Sequence, residues 1–143
     1  MIARQIPACQ NCPYKPVDLQ LSKSSAIHGV KTSVMDIDFL WEVGKDFAML
    51  AELKHYSNGG NYDYFYLPAN QYVALKKIAL RLNADPYFIV RTSSRYFVHR
   101  IDVDEVRYSV ERFGKSVILF SKEEFRVFSK EGLRKFLIDT YVR

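Results

Sequence analysis

Residues 34–54 read VMDIDFLWEVGKDFAMLAELK, two apolar-rich runs separated at Gly44-Lys45-Asp46. This pattern predicts strands at about 33–43 and 47–56, joined by a tight turn. The next stretch, SNGGNYDYFY (57–66), begins as a turn cluster and becomes aromatic. Pro68 suits the first turn of a helix, which is predicted over about 68–82. On it Gln71, Leu75, Ile78 and Leu82 follow the spacing of one face, with Lys76, Lys77 and Arg81 largely elsewhere. Asp85-Pro86 punctuates the chain, and YFIVRT (87–92) is a strong β run. Ser93-Ser94 turns it, and RYFVHRIDV (95–103) completes a second hairpin. Residues 104–115 fit strand or loop, and SVILF (116–120) reads as a short buried strand. Ser121 and Glu124 have the spacing of a capping box, which predicts a helix starting there. A last helix, at about 130–142, would turn Leu133, Phe136, Leu137 and Tyr141 inward. The resulting order, ββαββ(β)αα, is that of an α/β protein.

Composition narrows this picture. A chain of 143 residues without internal repeats or a linker implies one domain with a real core. Within it, 1–30 form an irregular segment broken by Pro7, Pro13 and Pro16, with a short helix or turn at about 20–28. Residues 34–103 form the central part, and 116–143 supply a strand and the C-terminal helices. No apolar run approaches the roughly 20 residues that span a bilayer, and the N-terminus lacks an apolar signal core. The expectation is a cytoplasmic protein without a membrane partner. A net charge of +5 favours polyanions but is too modest to require one. Aromatic residues make up 15% of the chain, enough to fill a core and leave rings for stacking on bases. Cys9 and Cys12 form a lone C-x-x-C. A structural zinc site needs four ligands, and His28, His55 and His99 provide no close second pair. The pair therefore reads as ordinary thiols in a proline-flanked loop, with zinc or redox chemistry as the alternative. The three histidines fit packing or surface positions.

The first hairpin carries the candidate chemistry. Strand side chains alternate, so Asp36 and Asp38 share one face, as do Glu52 and Lys54. Folding about the turn sets the aspartates opposite the Glu-x-Lys pair. Carboxylate oxygens are what magnesium and manganese select. A neighbouring ammonium can orient a water or stabilise developing negative charge. Asp38 precedes Glu52 by 52 − 38 = 14 residues and Asp36 by 52 − 36 = 16, both suited to a short hairpin. Glu42 lies near the turn and is expected to be exposed.

In these residues the chain resembles the PD-(D/E)XK, or restriction-endonuclease-like, nucleases. Their signature is an acidic residue on one strand and Glu/Asp-x-Lys on the next. The resemblance covers 34–103; Met35 rather than proline precedes Asp36, and Ile37 precedes Asp38. It implies a mixed central sheet flanked by helices, with Mg2+ or Mn2+ held by Asp38, Glu52 and the Leu53 carbonyl. Asp38 matches the metal position better than Asp36, which becomes a second ligand or a cap. Lys54 would be the catalytic lysine, and Gln71, on the following helix, would hold the site or its water. Tyr62, Tyr64 and Tyr66 either stack on nucleic acid or close the core.

The implied activity is metal-dependent hydrolysis of DNA phosphodiester bonds in repair, recombination or mobile-element and viral DNA processing. Lys76, Lys77, Arg81, Arg91, Arg95 and Arg100 are the candidates for phosphate contacts, with little sequence specificity expected. A homodimer stays open. The rival reading is a non-catalytic nucleic-acid-binding or interaction protein on the same fold.

Overall fold

Gly44 and Lys45 close the first hairpin where the apolar pattern breaks. The strand β1 (Phe39–Val43) pairs antiparallel with β2 (Asp46–His55), Val43 opposite Asp46. Gly44 has φ of +64°, at the first central position, where a type II′ turn needs glycine. The register shifts between Trp41 and Glu42, which face Met49 and Phe47, leaving Ala48 as the extra residue of a bulge. The computed structural model describes residues 37–56 and 62–142, all within one compact unit, Ile37–Arg143. Asp36, Cys9, Cys12, His28, the expected short helix at 20–28, strand residues 33–36 and the turn at 57–61 lie outside the described residues.

The chain continues through β3 (Tyr64–Pro68), α1 (Ala69–Leu82), β4 (Asp85–Arg91), β5 (Tyr96–Arg100), β6 (Val110–Arg112), β7 (Lys115–Ser121), β8 (Arg126–Phe128) and α2 (Lys130–Tyr141). Five strands form a mixed sheet in the order β1-β2-β4-β5-β8, with β2 and β4 parallel and the other pairs antiparallel. A second sheet of three antiparallel strands has the order β3-β7-β6. Alternation along β2 decides what each face buries. Leu50 joins Phe65, Leu67, Leu75, Phe88 and Phe120 in a core roofed by α1 and the smaller sheet. Met49 and Ala51 join Tyr87, Ile89 and Val98 under α2, where Leu133, Phe136, Leu137 and Tyr141 pack as expected. The protein is thus mixed α/β, with a mixed central sheet flanked by helices. Each fully buried Phe or Leu contributes about 1.5–3 kcal/mol.

The structure corrects three expectations. The aromatic stretch before Pro68 is a strand, and Pro68 ends it while standing as the N-cap of α1. The buried face of α1 centres on Tyr72, Leu75 and Ala79, with Ile78 and Leu82 at its margin. Tyr72 can enter because its hydroxyl donates to Glu105. The capping box at Ser121 forms, but it opens only a three-residue 3₁₀ turn, Lys122–Glu124. Phe125 is buried against Phe88 and Phe65, which draws the chain into β8 instead of a helix. Within the ambiguous region, 110–112 form an edge strand.

Candidate active site

β1 begins at Phe39, opposite Ala51, so Asp38 stands one step beyond the ladder and across from Glu52. Its Oδ2 accepts the Leu53 N–H at 2.9 Å. The carboxylate takes the place of the main-chain acceptor that a longer β1 would have offered. A strand residue directs its N–H and C=O to the same side, so the Leu53 carbonyl also faces the edge where Asp38 sits. Glu52 is 7% exposed, and its Oε1 lies 3.9 Å from Lys54 Nζ. Phe88 and Val90 of β4 flank Glu52 and Lys54 on the same face. A carboxylate in that apolar setting needs charged or hydrogen-bonding partners to stay ionised, and Lys54 is one.

Tyr56 extends this row. It follows Lys54 by two positions, its N–H donates to the Arg91 carbonyl at 2.9 Å, and its ring meets Phe65 and Tyr62 edge-on. Burial, reinforced by the nearby Tyr66 phenol, raises its pKa above 10.0, although the Tyr66 backbone hydrogen-bonds to the hydroxyl. The sequence carried a signal for Tyr56, its parity with Glu52 and Lys54, but its ring partners come from Phe65 of β3 and from Tyr62 just before it.

Gln71 lies in the first turn of α1, in the layer that covers the Glu52 face. Its Oε1 is buried without a hydrogen-bond partner among the described residues. Such an oxygen carries a desolvation cost of about 1–3 kcal/mol. His99 packs its ring against Phe120 and Phe125, with Nδ1 3.2 Å from the Glu124 carbonyl, a structural position as expected. Glu42 is exposed beside the turn.

The six basic candidates do not form one surface. Arg91 pairs across from His55 at the end of β2, and with Leu53, Lys54, His55 and Tyr96 it lines an open pocket of about 390 Å³. Arg95 lies in the turn between β4 and β5 at that same end. Arg100 sits at the other end of the hairpin, 2.8 Å from Asp85. Arg81 is in the last turn of α1, next to the residues that lead into Asp85. Lys76 donates to the Glu105 carbonyl at 2.6 Å and lies over the Tyr72 ring, while Lys77 is exposed. Strand direction separates Arg91 from Arg100, since antiparallel neighbours carry opposite ends of the chain to one edge.

A polar network not foreseen from the sequence fixes the loop between β5 and β6. Arg107 bridges Glu105 and Glu124 and lies 4.3 Å over the Phe120 ring. Burial and the bond to Glu105 push the Tyr72 phenol far above its ordinary range.

Among the described residues no three His, Cys, Asp or Glu side chains gather as a metal cage. Asp38, Glu52 and the Leu53 carbonyl are nonetheless all hard oxygen donors. They fit magnesium or manganese, which bind through one or two carboxylates and complete their shell with water and phosphate. No helix among the described residues is long and apolar enough to cross a membrane. No family model, curated protein or solved structure matches the chain.

Proposed function

We propose that the chain is a divalent-metal-dependent nuclease that hydrolyses DNA phosphodiester bonds, in repair, recombination or mobile-element DNA processing. One observation carries the reading. Asp38 is tied to the Leu53 N–H at the strand end from which Glu52 and Lys54 project together, with 3.9 Å between their charges.

Asp38, Glu52 and the Leu53 carbonyl would hold Mg2+ or Mn2+, which supplies Lewis acidity to a phosphate oxygen and acidifies a water. Lys54 orients that water and offsets the negative charge gathering on the phosphate oxygens. Phe88 and Val90 lower the local dielectric beside Glu52 and Lys54, which strengthens both interactions. Arg91, at the pocket that Lys54 also lines, is placed to take a neighbouring phosphate. Gln71 offers a buried acceptor to a water. The restriction-endonuclease-like fold is part of this proposal, supported by the parallel β2–β4 pair with α1 between them in the chain.

The test is the purified chain on linear, circular, single-stranded and branched DNA with magnesium, manganese or EDTA, beside Lys54→Ala. Cleavage that needs the ion and Lys54 is expected. A parent protein that cuts none of these, or a variant that cuts equally well, would sink the assignment.

A further inference from the structure

The tip of the β6–β7 hairpin breaks local rules that the rest of the fold obeys. Its two-residue turn is Phe113-Gly114, with φ of +54° and +71°. A turn with both central residues at positive φ favours Asn-Gly, and a bulky side chain there is strained. Arg112 stands directly opposite Lys115, a like-charge pair that disfavours the hairpin. Neither cation forms an ion pair among the described residues. Between them in the chain, Phe113 is 80% exposed.

The smaller sheet presents this tip outward. Phe65 and Leu67 face Phe120 and Ile118 in the core. Alternation therefore turns Tyr64 and Tyr66 of β3, Lys115 of β7 and Arg112 of β6 to the other side. The Phe113 ring lies 5.8 Å from that of Tyr66, tilted by 40°. The Tyr66 backbone in turn hydrogen-bonds to the hydroxyl of Tyr56, two residues beyond Lys54.

We propose that Phe113 and Tyr66, with Arg112 and Lys115, form a platform for single-stranded nucleic acid, the rings stacking on unpaired bases and the cations meeting phosphates. The proposal names the substrate class for the nuclease reading and rests on it for the polyanion. Unpaired bases match the features better than a duplex does. Stacking needs an open base face, which paired DNA keeps within its own stack. The Arg112–Lys115 repulsion is relieved when a phosphate lies between the two cations.

The experiment is fluorescence anisotropy of the full chain in EDTA with a labelled oligodeoxythymidylate and with a duplex of equal length. Phe113→Ala should weaken single-strand binding by about fivefold or more and leave duplex binding unchanged. Phe113→Asn guards against misfolding, because asparagine suits the turn; it should weaken single-strand binding while raising Tm. Removing Arg112 and Lys115 together should lower the log–log salt slope by about 0.7 for each phosphate lost. Single-strand binding that is absent in the parent, or equal in parent and Phe113→Asn, overturns the platform. Cleavage by the parent in manganese is scored separately. Cleavage with no effect of Phe113→Asn on binding removes the platform alone. Phe113-dependent binding without cleavage removes the nuclease and keeps the platform.

Discussion

The β1–β2 and β6–β7 hairpins both close through two residues, yet they treat local chemistry in opposite ways. In the first, glycine takes the positive-φ position, and the strand it leads into is buried from Met49 to Glu52. In the second, a phenylalanine takes a positive-φ position, two cations face each other, and all of β6 is exposed. Burial enforces the register of the first hairpin, because a one-residue slip would send Leu50 and Glu52 to the wrong face. In the second hairpin β7 is buried at Val117, Ile118 and Phe120, but β6 and the turn residue Phe113 stay exposed, so the unfavourable features sit where the chain has no buried contact to keep. Strain kept where packing does not demand it is where a binding surface should be sought.

The sharpest way to break this comparison is at the first hairpin. Glu52→Gln and Lys54→Ala should each reduce metal-dependent cleavage by about a hundredfold or more while the circular dichroism spectrum and Tm stay near those of the parent. Single-turnover cleavage of a labelled strand in manganese gives the rate. A matching loss from Phe113→Asn at saturating DNA would mean that the two hairpins do not divide chemistry from binding as argued.

Asp38 separates positioning from chemistry. Asp38→Ala removes the acceptor for the Leu53 N–H and should cost about 1 kcal/mol in urea unfolding as well as abolishing cleavage. Asp38→Asn keeps an acceptor, so it should recover most of the stability and none of the activity. Equal stability of the two variants would show that the bond does not hold the hairpin end in register.

How far the sequence showed all this depended on where each signal originated. The α2 face was legible because Leu133, Phe136, Leu137 and Tyr141 are spaced for a helix and flanked by charge. The placement of Asp38 against Glu52 was legible only in part: Gly44 marks the tight turn, but that turn alone would set Asp38 opposite Ala51, and the bulge at Ala48, which no local signal announced, brings Glu52 there. β3 was hidden because Tyr64 and Tyr66 are as hydrophobic to the eye as Phe65, so no polar alternation marks a strand, and Pro68 announces only the helix. With β3 hidden, the surroundings of Tyr56 and the outward tyrosines were hidden too. β8 was masked by a local capping signal that one short turn satisfies. The spread of the basic residues could not be read from spacing, since it depends on which strand ends share an edge.

A smaller effect tests the strain itself. Phe113→Asn should stabilise the fold by roughly 0.5–1 kcal/mol, since asparagine tolerates the left-handed region better and no buried contact is lost. Thermal and urea unfolding should agree on the sign. A loss of stability would mean that the Tyr66 contact outweighs the strain, and the tip would then be a packing element.

The smallest expected effect concerns the base of the second hairpin. Glu124 accepts the Ser121 N–H at 2.8 Å and pairs with Arg107, which reaches it from the loop preceding β6. The Arg107 guanidinium holds the Glu124 carboxyl below its ordinary 4.5, against partial burial, with the Ser121 N–H assisting. The unfolded chain therefore takes up this proton at a higher pH than the folded one. The stabilisation is fully present above about pH 4.5 and is lost as pH falls through the lower folded value. Glu124→Gln should lower stability at neutral pH by less than about 1 kcal/mol, because the pair is partly exposed. The same change should flatten the acid limb of the stability curve below pH 4.5. Single-strand binding should stay at the parental level, because Glu124 anchors the hairpin's base and Phe113 works at its tip. Phe113→Asn is expected to do the reverse, gaining stability and losing binding. If Glu124→Gln weakens single-strand binding as much as Phe113→Asn does, the base and tip act as one unit, and the contrast between the hairpins would lie in their anchoring.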